Sequence, residues 1–157
     1  MDSIYLGFTA FLFVLAIFDL ISGVSNDAVN FLNSAIGARV ATFRTIIIVA
    51  AAGVFLGASM SNGMMEVARH GVFHPSMFSF REVMFIFLAV MISDVILLDV
   101  FNTLGLPTST TVSMVFELLG GTFAMALVKS FSDQGVNMME MMNTGKALSM
   151  IIAIFVS

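Results

Sequence analysis

The chain contains no cysteine, which excludes a disulfide framework and any thiolate metal centre. Charge is also scarce. Only 10% of the 157 residues are charged, and the net charge of −4 is spread without a basic cluster, which argues against a nucleic-acid partner. No Lys or Arg precedes the first apolar run, whose flank carries Asp2. A cleavable signal peptide has a basic start and a small-residue cleavage site, so that run reads as retained. No Walker-type loop is present to bind ATP, and no nucleophile–base–orienter set points to an enzyme. What is abundant is apolar: 59% of residues are hydrophobic, with 14 Met and 17 Phe, and the mean hydropathy is +1.06. A soluble domain of this size needs a polar shell to face water. Lipid removes that need, so the chain reads as an all-α integral membrane protein, multi-pass in the cell membrane with lipid around it.

Four runs, at 4–24, 45–65, 83–104 and 108–128, meet the roughly 20 residues a helix needs to cross a bilayer. A fifth begins at 147 and stops at 157. About 11 residues at 1.5 Å of rise reach only half-way across, so residues 1–157 are expected to be a single transmembrane domain from a longer chain, the alternative being a short terminal helix resting in the interface. Arg39 and Arg44 lie between the first two runs, and the positive-inside rule places that loop in the cytoplasm and the N-terminus outside. Arg69 and Arg81 in the next connection blur the bias. The polar stretch 130–146, with Asp133 and Gln134, reads as a loop or a short surface helix.

The membrane pattern breaks twice. The first break is Ser22-Gly23-Val24-Ser25-Asn26-Asp27-Ala28-Val29-Asn30. An acid flanked by amides is costly in hydrocarbon unless it is used, and carboxylate and amide oxygens are hard ligands suited to a small cation such as sodium. The same Asp27 could carry a proton, or Asn26 and Asp27 could simply cap a helix. The second break is Gly105-Leu106-Pro107-Thr108-Ser109-Thr110-Thr111. Gly and Pro end one helix, and four consecutive hydroxyl residues open the next. The first N–H groups of a helix lack partners, and its dipole attracts anions. Such an end can hold phosphate reversibly, although ordinary Ser or Thr capping gives the same pattern. Interrupted helices that line a cavity at the midplane are a transporter device.

At these residues the chain resembles the inorganic phosphate transporter family, the sodium- or proton-coupled PiT carriers. Its first signature runs G-A-N-D-V-A-N, matched here by Asn26, Asp27 and Asn30, with Gly37 and Arg39 following. Its second runs G-L-P-V-S-T-T-H, matched by Gly105, Leu106, Pro107, Ser109, Thr110 and Thr111. A third, weaker match sets Glu66, Arg69 and Gly71 against E-T-I-R-K-G. The resemblance implies one half of an inverted-repeat fold, with a broken helix and a re-entrant helical hairpin. It implies Ser109, Thr110, Thr111, Asn26 and Asp27 as phosphate-binding residues. It implies Asp27, Asn30 and Glu66 as cation-binding, with sodium or a proton as coupling ion and no other cofactor. The chain departs from the family at Val24 and Ser25 in place of Gly-Ala, Thr108 in place of Val and Val112 in place of His. Each family signature occurs twice per carrier and only once here. A second half is therefore an expected partner, and a homo-oligomer a further one.

Asp94, Asp99 and Glu117 also interrupt apolar runs, and either line the same polar cavity or pair within the bundle. Asp94 and Asp99, five apart, project in different directions on a helix. Asp19 lies eight residues before Asp27 and leaves the site if the helix breaks between them. His70 and His74 are too few for a metal site. The methionines at 138–142 read as packing rather than soft-metal ligands. The expected function is secondary transport of inorganic phosphate. The alternatives are transport of another oxyanion such as sulfate, or a non-transporting membrane subunit that senses phosphate.

Overall fold

The computed structural model describes residues 3–61, 66, 71–132 and 137–156. It is helical, and four helices are long and apolar enough to cross a membrane: α1 (Ser3–Gly37), α2 (Phe43–Met60), α3 (Phe80–Leu104) and α4 (Thr110–Ser132). A four-residue helix, α5 (Met138–Met141), and a 13-residue helix, α6 (Thr144–Val156), follow. Arg69, His70, Asp133 and Gln134, singled out in the sequence, lie outside the described residues, as do residues 62–65.

The break expected at 22–30 is absent: α1 runs through it without interruption for 35 residues. The segment has no proline, and its polar side chains do not compete with the helix for backbone partners. Ser25 returns its hydroxyl to Ile21 O within the helix at 2.6 Å. Asn26, Asp27 and Asn30 bond to residues 102–110 instead. The helix ends in a Schellman turn, with Val40 N bonded to Ala35 O and Arg39 N to Ile36 O, and Arg39 takes the left-handed position at φ 52°.

The expected interruption at 105–109 is present. α3 ends in a second Schellman turn, Leu106 N to Phe101 O and Gly105 N to Asn102 O. Gly105 occupies φ 67°, a conformation that only a residue without Cβ adopts at no steric cost. At its other end α3 starts in a capping box. Ser79 N donates to Glu82 Oε2 at 2.6 Å and Glu82 N to Ser79 Oγ at 3.3 Å.

α1 and α3 run parallel, paired in ascending order by Tyr5–Phe80 and Phe8–Phe85 edge-to-face rings, Gly23 beside Leu98 and Asn26 with Asn102. α3 and α4 run antiparallel, from Asp94 opposite Ser113, through Ile86 and Val90 against Gly121, to Glu82 bridged to Lys129 at 3.0 Å. α3 and α4, at 25 and 23 residues, are each of full crossing length. The hairpin they form is therefore not a pair of half-length helices of the kind a re-entrant loop uses.

The close-packed core lies at the end of the α3–α4 pair remote from 105–109. Val72, Phe73, Phe78, Ile86, Val90, Leu118, Ala126 and Met141 form it. There the connections before α3 and after α4 are tied together by His74 N to Met141 O and Asn143 N to Val72 O. Lys129 closes this end by donating to Met77 O at 2.8 Å while lying over the Phe78 ring. Elsewhere large apolar side chains stand open, among them Phe13, Phe55 and Phe131. Burial is worth about 25 cal/mol per Å², so such a surface is stable against lipid or further protein and not against water.

Candidate functional site

Three helices meet around a cavity of ≈ 240 Å³ lined by Asp19, Gly23, Asp27, Asp94, Leu98, Thr110, Thr111 and Met114, among others. Because α1 is unbroken, Asp19, Gly23 and Asp27 recur every four residues on one stripe of the helix. Gly23 lets α3 and α4 come close: a Cβ there would stand 3.6 Å from Leu98 Cδ1 and 3.7 Å from Thr110 Cγ2.

Opposite that stripe lies the start of α4. Ser109 caps it, its Oγ accepting Val112 N at 3.4 Å. Thr110 donates its hydroxyl to Asp27 Oδ2 at 3.2 Å, and Thr111 faces the cavity beside it. The N–H groups of this first turn have no intrahelical acceptor, and the helix dipole adds partial positive charge. The approach of α4 to α1 is fixed by amides. Asn26, 4% exposed, accepts Thr108 N at Oδ1 at 3.0 Å. Its Nδ2 donates to Asn102 Oδ1 at 2.8 Å and to Leu106 O at 3.3 Å. Asn30 Nδ2 donates to Thr108 O at 3.3 Å.

Asp19 and Asp94 make the cavity wall toward α3 acidic, and Asp94 continues into a polar cluster behind it. Ser113 Oγ lies 3.2 Å from Asp94 Oδ1 and 3.1 Å from Glu117 Oε1. Asp19 Oδ1 and Glu117 Oε2 are buried without a hydrogen-bond partner among the described residues. Among the described residues, no Lys or Arg lines the cavity. Asp99 is exposed on another face of α3 from the buried Asp94. Among the described residues, no three His, Asp or Glu side chains converge at metal-ligand spacing.

The structure thus brings Asp27, Thr110 and Thr111 together at one cavity. It sets Ser109, Asn26 and Asn30 around it as groups bonded to backbone. Glu66 is helical and exposed, with no contact to the cavity. Sequence reasoning did not single out Asn102 or Ser113, and it discounted Asp19. For Asn102 the available signal was a lone amide in an apolar run three residues before Gly105. For Asp19 it was the i, i+4, i+8 spacing with Gly23 and Asp27.

One relative with a name that bears on this geometry is the Pyrococcus furiosus protein called "Putative phosphate permease". It is 34% identical over 98 residues, covering 61% of this chain and 24% of that protein. The chain thus spans about a quarter of the length of the relative it matches. No solved structure matches the chain. The model of the Phosphate transporter family matches residues 23–157, a span that begins on the Gly23 stripe and contains both the Asp27 face and the hydroxyl-rich start of α4. The chain is an integral membrane protein that belongs to this family.

Proposed function

We propose that the protein carries inorganic phosphate across the cell membrane as a secondary symporter, with sodium or a proton as coupling ion. In this reading the chain is one half of an inverted-repeat carrier, joined to a second half and open to homo-oligomeric assembly. The observation that carries the reading is the composition of the cavity: an anion-attracting helix start with Thr110 and Thr111, facing carboxylates, with no Lys or Arg beside them among the described residues.

Such a cavity binds an anion poorly by itself. A phosphate charge about 5 Å from one ionised carboxylate, at an effective dielectric of about 20, is opposed by roughly 3 kcal/mol. A sodium ion at Asp27, or protons on the cavity carboxyls, cancels that term. Anion and cation then load together and leave together, as symport requires. Phosphate would be held by the Thr110 and Thr111 hydroxyls and the first α4 N–H groups, with Ser109 capping the turn. Asp27 would hold the cation, with Asn26 and Asn30 fixing the walls. Rocking of the two halves would expose the site to each side in turn.

The test is uptake of radiolabelled phosphate into liposomes containing the full-length parent protein, under imposed sodium or proton gradients. Uptake driven by one gradient identifies cargo and coupling ion together. Uptake of sulfate in preference to phosphate would reassign the cargo. Phosphate binding without flux would make the protein a sensor.

A further inference from the structure

Asn102 has no part in the chemistry described above, yet it sits at the junction of all three site helices. It lies in the last turn of α3, where an amide has no local task because the Schellman turn already satisfies the backbone. Its Oδ1 accepts from Asn26 Nδ2 at 2.8 Å, and its own Nδ2 donates to Ser22 O on α1 at 3.1 Å.

The two ends of an Asn amide have nearly the same shape but opposite hydrogen-bonding sense. Asn26 must present oxygen to Thr108 N–H and nitrogen to Leu106 O in order to hold the 105–109 turn. Rotated by half a turn, it would set donor against donor at Thr108 and acceptor against acceptor at Leu106. Asn102 Oδ1 accepts only from the nitrogen end, so it selects the holding orientation. Asn102 is itself oriented by Ser22 O, a backbone carbonyl that can only accept. Polarity therefore passes one way, from the Ser22 carbonyl through Asn102 and Asn26 to Thr108 N–H.

We propose that Asn102 is a positioning residue for the transport site. By fixing the Asn26 amide it holds Thr108, and with it the start of α4, where the Thr110 hydroxyl reaches Asp27. The inference deepens the phosphate reading in its uptake arm and is independent of it in its exchange arm.

The full-length parent would carry Asn102→Leu, which keeps the size and removes both polar ends, and Asn102→Gln, which keeps an acceptor toward Asn26 and a donor toward Ser22 O. Hydrogen–deuterium exchange at the Thr108 amide reads the clasp directly. Loss of one net hydrogen bond corresponds to about tenfold faster exchange. In Asn102→Leu, exchange at Thr108 and the KM for phosphate are both expected to rise about tenfold, with maximal rate and melting temperature close to wild type. Asn102→Gln, which restores both polar ends, should recover most of both. In the Asn26→Ala background, adding Asn102→Leu should change neither reading, because the chain is already cut. If Asn102→Leu fails to insert, Asn102→Ala replaces it with the same expectations. Unchanged Thr108 exchange, equal damage from the Leu and Gln variants, or additive effects with Asn26→Ala would each overturn the proposal. A wild type that does not move phosphate sinks the functional reading instead, and Thr108 exchange then decides the clasp alone.

Discussion

Replacing Thr110 separates two things its side chain does. The hydroxyl donates to Asp27 Oδ2 at 3.2 Å, and the methyl group stands 3.7 Å from the position a Cβ at Gly23 would take. Thr110→Val keeps the shape and removes the hydroxyl, whereas Thr110→Ser keeps the hydroxyl and removes the methyl. A hydrogen bond to a charged group is worth about 1.5–3 kcal/mol. Loss of such a bond to bound phosphate therefore weakens binding by about 10- to 100-fold. In initial-rate uptake by liposomes carrying the full-length parent, Thr110→Val should raise KM by that factor, or abolish uptake at micromolar phosphate. Thr110→Ser should stay within a few-fold of wild type. The variants should insert equally, since Val matches Thr in volume and the Asn26 clasp is untouched. A Thr110→Val protein with wild-type KM, or a Thr110→Ser protein as impaired as Thr110→Val, would refute the assignment of this hydroxyl to the anion.

Gly23→Ala adds a methyl at ordinary contact distance and should leave uptake nearly unchanged. Gly23→Leu drives a branched side chain into the cavity and should abolish uptake, read in the same assay with folding checked by size-exclusion chromatography. Phe73, 1% exposed in the end core, should cost about 3–5 kcal/mol when changed to Ala, seen as a marked fall in melting temperature of the detergent-solubilised protein. Glu82→Gln weakens a half-exposed ion pair with Lys129. It should cost about 1 kcal/mol or less, whereas Lys129→Ala should cost more because the Met77 carbonyl also loses its donor.

The crossing helices are legible in sequence because length and apolarity alone define them. The runs read at 83–104 and 108–128 correspond to Phe80–Leu104 and Thr110–Ser132. Gly105 and Pro107 likewise announce the interruption between them, since one takes φ 67° and the other has no N–H to continue a helix. The continuity of α1 is not legible. Asn26, Asp27 and Asn30 look like breakers when read locally, and their partners lie 76 to 83 residues away. The same distance hides Asn102, whose partners Asn26 and Ser22 belong to another helix. The acidic depth of the cavity is half legible. Asp94 and Glu117 stand out as charges in apolar runs, but only the antiparallel register of α3 and α4 puts Ser113 between them.

The parallel course of α1 and α3 has a consequence for sidedness. Helices that run the same way end on the same side, so the turn that follows Gly37 and the turn that follows Leu104 share one end of the bundle. Arg39 and Arg44 stand at the first of these turns, whereas Arg81 and Lys129 stand at the opposite end of the bundle. The hydroxyl-rich start of α4 therefore opens toward the end at which α1 terminates, and the Phe73 core with its Lys129 tie stands at the other. The bundle is polarised from end to end: its adaptable contacts, built from single amides and hydroxyls, lie toward one end, and its dense apolar packing anchors the other.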